Sequence, residues 1–200
     1  MAMTDGVMLG PLVLFAAAMC LTPGPNVVLV VASSVNFGFR GAVPHILGIS
    51  IGFGLMAAAI GLGLAGLFEA EPALHGAVRY FGAAYLLYLA WRIAWSTATV
   101  SDREARPIGF LEAVLFQWLN PKGWATAVGA FATYTPVGAD TWRQTSVVTA
   151  VLAVACSASV VLWAAFGAGM SRFLATPRIR SAFNWSMAGL LVLSLVPVFW

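Results

Sequence analysis

The sequence predicts an all-α membrane protein: six transmembrane helices as two inverted three-helix repeats, with helices 1 and 4 broken by Pro motifs. Three observations lead there. Of the 200 residues, 61% are hydrophobic and only 8% charged, with a mean hydropathy of +0.91, whereas soluble domains carry about 25% charged residues. Six stretches are apolar over the roughly 20 residues that a bilayer crossing requires. Two proline motifs, Thr22-Pro23-Gly24-Pro25-Asn26 and Asn120-Pro121-Lys122-Gly123-Trp124, fall within the first and fourth of these stretches.

The first span is expected from about Val7 to Ser34. The flank before it, Met1 to Gly10, carries Asp5 and no Lys or Arg, so it lacks the positive region of a secretory signal and is expected to be retained. Pro23 and Pro25 each remove a backbone donor and interrupt the helix. In lipid such a break persists only beside protein or a polar cavity. The second span, Val43 to Phe68, follows Arg40 and is rich in glycine. Its Gly48 and Gly52 have the spacing that lets helices approach closely, either inside the molecule or at the face of a homodimer. The third span, Ala73 to Trp95, follows Glu69 and Glu71. A loop at 96–109 holds Asp102, Arg103, Glu104 and Arg106 and separates the halves. The fourth span, Phe110 to Tyr134, contains the second break. The fifth, Ser146 to Met170, follows Asp140 and Arg143, and the sixth, Ile179 to Trp200, follows Arg172 and Arg178. The expected organisation is one transporter domain over 1–200, with repeat 1 at about 7–95, a cytoplasmic loop at 96–109 and repeat 2 at about 110–200.

Positive-inside bias gives the orientation. Arg40, Arg92, Arg103, Arg106, Arg172, Arg178 and Arg180 fall on one side, Arg79 and Arg143 on the other. The richer side is cytoplasmic, which places both termini in the periplasm. Three spans per half give the second half the opposite orientation to the first. Broken helices at matching places in inverted repeats mark the substrate site of many secondary transporters. The basic residues are scattered over short loops and form no stripe, so nucleic acid is not an expected partner; membrane lipid and a small-molecule substrate are.

Lys122 is the most expensive residue, because a lysine deep in a span costs roughly 2.5–3.5 kcal/mol. It either caps the helix before Pro121 or presents an ammonium to a substrate carboxylate. Asn26 and Asn120 either cap the adjoining half-helices or contact substrate. The helix restarting after Pro25 directs free N–H groups and a positive dipole end into the break, a seat for a carboxylate. Thr22 adds a hydroxyl there, and Gly24 permits close backbone approach. The expected substrate-binding set is therefore Thr22, Pro23, Gly24, Pro25, Asn26, Asn120, Pro121 and Lys122. Glu112, Gln117, His45, Trp118 and Trp124 are candidates for coupling or gating. Glu112 is expected as a solvated carboxylate near the end of its span, and His45 as an interfacial residue beside Arg40. Cys20 and Cys156 are either small buried hydrophobes or a membrane dithiol that passes electrons. No zinc-type cluster, P-loop or Ser/His/Asp arrangement occurs, so no metal, cofactor or enzymatic activity is expected.

At these residues the chain resembles the LysE/RhtB family of bacterial amino-acid exporters. The resemblance covers essentially the whole chain. It rests on the two Pro motifs, Gly38-Phe39-Arg40, the run Leu47 to Phe53, Gly82 to Leu86, Leu89-Ala90-Trp91-Arg92 and the Phe110 to Lys122 stretch. It implies an inner-membrane efflux protein, nearest to the subgroup that exports cysteine and O-acetylserine. Many members carry an acidic residue after the glycine matching Gly52; here that position is Phe53. With no anion for a cationic side chain, the resemblance implies a neutral amino acid such as cysteine, O-acetylserine, homoserine or threonine. The rival readings are a membrane thiol or electron carrier and a non-transport intramembrane protein.

Overall fold

The computed structural model describes residues 3–4, 7–64, 66, 70, 72–96, 107–135, 140–174 and 176–196. Glu69, Glu71, Asp102, Arg103, Glu104, Arg106, Trp200 and the side chain of His75 lie outside the described residues. Among the described residues, a two-rung antiparallel pairing of Met3–Thr4 with Val7–Met8 precedes seven α-helices. These are α1 (Leu9–Leu21), α2 (Pro25–Ala59), α3 (Pro72–Ala94), α4 (Phe110–Gln117), α5 (Pro121–Tyr134), α6 (Thr141–Met170) and α7 (Pro177–Leu193). A π-helical turn, Ile60–Leu64, extends α2.

The helix starts follow local chemistry. Proline occupies the first position of α2, α5 and α7, where its missing N–H costs nothing. Asn120 and Thr176 cap α5 and α7 through their side chains. Asp140 accepts from the N–H groups of Trp142 (2.9 Å) and Arg143 (3.3 Å). That cap starts α6 five residues ahead of the expected Ser146 and puts Arg143 in the first helical turn rather than in a loop.

The largest departure from expectation lies between the first two spans. No extended loop separates them: one helix begins at Pro25, a second ends at Ala59, and Gly38 between them has φ 72° and ψ 171°. In a straight helix, Ser33 and His45 would stand about 18 Å apart, yet Ser33 Oγ and His45 Nδ1 lie 3.0 Å apart. The chain therefore folds back at Gly38, and α2 is a hairpin with a first arm at 25–37 and a second at 39–59. Only glycine takes that left-handed dihedral without strain.

The packing partners are specific. Gly48 and Gly52 of the second arm abut α4, where an added Cβ would stand 2.4 Å from the Phe110 carbonyl or 2.8 Å from Val114 Cα. The GxxxG pair is thus used inside the molecule, which removes the ground for a dimer face there. The C-terminal turn of α1 lies on α6, as does the first arm, through Gly167 against Val31. Gly61 lies against Phe131 of α5, and α3 packs on α7. Leu12, Leu29, Met56, Leu86, Phe116, Leu152 and Leu191, from six different helices, fill one core. Around it, Leu14 (72% exposed), Phe81 (69%) and Trp142 (71%) belong to a broad apolar exterior. An apolar surface of that extent is stable against lipid tails and unstable in water.

Candidate functional site

The two breaks meet. At the end of α1 the last carbonyls lose their helical partners, and side chains take their place at Cys20, Leu21 and Thr22. The Ala18 carbonyl accepts from Thr22 N (3.1 Å) and Thr22 Oγ1 (2.6 Å). Ser159 Oγ of α6 donates to the Cys20 carbonyl (2.7 Å), and Trp163 Nε1 to that of Leu21 (3.3 Å). Lys122 Nζ donates to the Thr22 carbonyl (2.5 Å). The first break is therefore closed by side chains from the far half of the molecule.

The second break is closed mostly by its own turn. Trp118, Leu119 and Asn120 donate to the carbonyls of Leu115, Phe116 and Gln117. Trp124 Nε1 donates to the Trp118 carbonyl (3.0 Å). Asn120 Oδ1 accepts from Gly123 N at 3.4 Å. Gly82 makes room for the Leu119 carbonyl, which would stand 2.5 Å from a Cβ there.

Two hydrogen-bonded links cross between the breaks. Asn26 Nδ2 donates to Gln117 Oε1 (2.8 Å), and Gln117 Nε2 returns a bond to Asn26 Oδ1 (3.1 Å). Gln117 is fully buried and also donates to the Ala113 carbonyl. Asn26 and Lys122 each directly follow the proline that restarts a helix, and each reaches back to the segment before the other break. Lys122 thus caps the end of α1, at the far break, and not α4 before its own proline. A hydrogen bond to a charged group contributes about 1.5–3 kcal/mol, the same size as the cost of placing the ammonium in the span.

A cavity of about 40 Å³ opens between these segments. Thr22, Gly24, Pro25, Asn26, Asn120 and Lys122 line one side, and Met19, Cys20, Phe53, Cys156 and Val160 give the other an apolar, sulfur-rich wall. Gly24 contributes no side-chain cap to α2, and a Cβ there would meet Lys122 Cδ at 2.6 Å. Pro23 and Pro121 shape the backbone but do not line the cavity.

The other sequence candidates stand elsewhere. His45 is fully buried against Ser33, and its Nε2 has no partner among the described residues. Glu112 is not a freely solvated carboxylate. It pairs with Arg92 (2.5 Å), accepts from the Tyr85 hydroxyl (3.0 Å) and caps α4 through Gly109 N (3.4 Å). Trp118 and Trp124 brace the second break. Ser159 and Trp163 were not singled out in the sequence. The available signal was a hydroxyl and an indole, four residues apart, in a span with no other reason to be polar.

Residues 17–197 match the model of the LysE type translocator family. The chain belongs to the LysE family. It is 31% identical over 183 residues to proteins named cysteine/O-acetylserine efflux protein from Salmonella choleraesuis (strain SC-B67) and Escherichia coli (strain K12), across 90% of this chain and 91% of each relative. No solved structure matches it. Family membership together with the apolar exterior makes this LysE-type translocator a helical membrane protein.

Proposed function

We propose that this chain is a secondary exporter of small neutral amino acids or close metabolites across the inner membrane, with cysteine and O-acetylserine first among the candidates. The meeting of the two breaks at one cavity carries the reading. In it, a zwitterion places its carboxylate against the uncapped start of α2 and the Lys122 ammonium. Asn26 and Asn120 fix its orientation, and a short side chain lies on the wall of Phe53, Cys156 and Val160. Relatives of matching length named for cysteine and O-acetylserine efflux support that substrate class.

The six-span arrangement in two inverted repeats is part of the proposal, with both termini periplasmic. Exchange α1 with α4, the first arm with α5, the second arm with α6, and α3 with α7. The contact of α1 with α6 then becomes that of α4 with the second arm. Gly167 on Val31 becomes the counterpart of Gly61 on Phe131, and α3 on α7 maps to itself. The crossed links exchange as well, Lys122 to Thr22 with Asn26 to Gln117. A pairing scheme that survives this exchange is what a pseudo-two-fold axis produces.

The cavity holds only a few water-sized volumes, since one water needs roughly 10–15 Å³, so loading a substrate requires the halves to part. The proton gradient is the proposed energy source. The test is external accumulation of a panel of neutral amino acids with and without expression, followed by uptake into everted vesicles. Expression-dependent accumulation is expected. Export that continues unchanged in Lys122→Ala and Asn120→Ala would overturn the site, and a panel with no expression-dependent member would overturn the function.

A further inference from the structure

We propose that Cys20 and Cys156 form an oxidation site, at which a small peroxide entering the cavity joins them in an intramolecular disulfide that pins α1 to α6. They are the chain's two cysteines, and both are free. Both line the cavity beside Lys122, Cys20 from the end of α1 and Cys156 from α6. Cys20 is half-buried while Cys156 is buried, so Cys20 is the sulfur an oxidant reaches first and Cys156 the one that resolves.

The two segments that carry the cysteines are tied together. Cys156 and Ser159 are three apart on α6 and share a face, and Ser159 Oγ holds the Cys20 carbonyl at 2.7 Å. Trp163, one turn further on, holds Leu21. A disulfide tolerates little displacement of its Cα atoms, and these two bonds fix the pair of segments that it would join.

The cavity's size selects the oxidant. At about 40 Å³ it admits molecules of a few heavy atoms. Hydrogen peroxide fits; a glutathione disulfide does not. The Cys20 sulfur attacks one peroxide oxygen, the O–O bond breaks, and a sulfenic acid and one water form. The Cys156 sulfur then attacks the Cys20 sulfur, the S–O bond breaks, and the second water leaves. Two thiols give up two electrons and two protons, and one peroxide is reduced to two waters.

The bond itself does not depend on the transport reading; its consequence, arrest of export, does. The experiment treats protein reconstituted in phospholipid vesicles with hydrogen peroxide or with oxidised glutathione, then measures intact mass and alkylation by a maleimide. Peroxide is expected to lower the mass by two hydrogens and abolish labelling, with recovery in dithiothreitol, while oxidised glutathione does neither on the same timescale. Cys20→Ser should keep its one thiol, Cys156→Ser should gain one oxygen at Cys20, and neither should form an internal bond. In the wild type, two alkylatable thiols after peroxide, or oxygen gained without hydrogen lost, would overturn the site. Equal oxidation by glutathione disulfide would overturn the size selection. Export that persists in protein whose disulfide is shown by mass would overturn the arrest, whereas reduced protein with no export at all would count against the transport reading instead.

Discussion

The Lys122 ammonium bonds the main-chain carbonyl of Thr22, a residue 100 positions earlier in the chain. A carbonyl left over by one broken helix is thus neutralised by a cation at the start of the other. In the proposed reading, a substrate carboxylate arriving at Lys122 would compete with that carbonyl, so that binding and the tie between the halves would draw on the same charge. Lys122→Met keeps the length of the side chain and removes the charge. Export is expected to fall by at least tenfold in vesicles while the protein still inserts and purifies, and wild-type export rates in this variant would refute the role.

Asn26 and Gln117 form a closed amide pair, so their effects should not add. Single replacements by Ala leave the partner amide without its bonds, at about 1–3 kcal/mol each. The double variant should be less destabilised than the sum, with a coupling energy of about 0.5–3 kcal/mol in a thermal or denaturant melt. Simple additivity would show that the pair is not energetically coupled.

Two glycines separate substrate chemistry from packing. Gly52→Ala drives a Cβ against the Val114 backbone, and overpacking of that kind costs about 1–3 kcal/mol. Gly24→Ala meets only the flexible Lys122 side chain. The first variant is expected to lower the melting temperature, and the second to raise KM for export with little change in melting. The reverse order would contradict the packing described for α2 and α4.

Glu112 is engaged by Arg92, Tyr85 and the start of α4. Glu112→Gln should cost about 1 kcal/mol, as expected for a partly exposed pair and a cap, and leave export in place. Loss of the response to a pH gradient with unchanged stability would return Glu112 to a coupling role.

Much of the site was legible because its residues are costly. Two proline breaks and a lysine in apolar runs have few explanations, and the Phe110 to Tyr134 span matches the outer ends of α4 and α5. What pattern alone could not give were partners. The partner of His45 is one such case, since a one-residue reversal brings it against Ser33. Ser159 and Trp163 are ordinary in a span until an orphaned carbonyl lies opposite. Asn36 and Arg40 interrupt the apolar run around Gly38, so hydropathy placed a linker where the backbone turns on a single residue of positive φ.

That residue has a practical consequence for mapping how the chain threads the bilayer. With helix on both sides of Gly38, there is no tether between Phe37 and Phe39 for a protease to cut, an antibody to hold or an inserted tag to occupy. A reporter spliced there would unfold the hairpin it was meant to locate. Sidedness at this end has to be read by substituted-cysteine labelling around Arg40 in a background lacking Cys20 and Cys156.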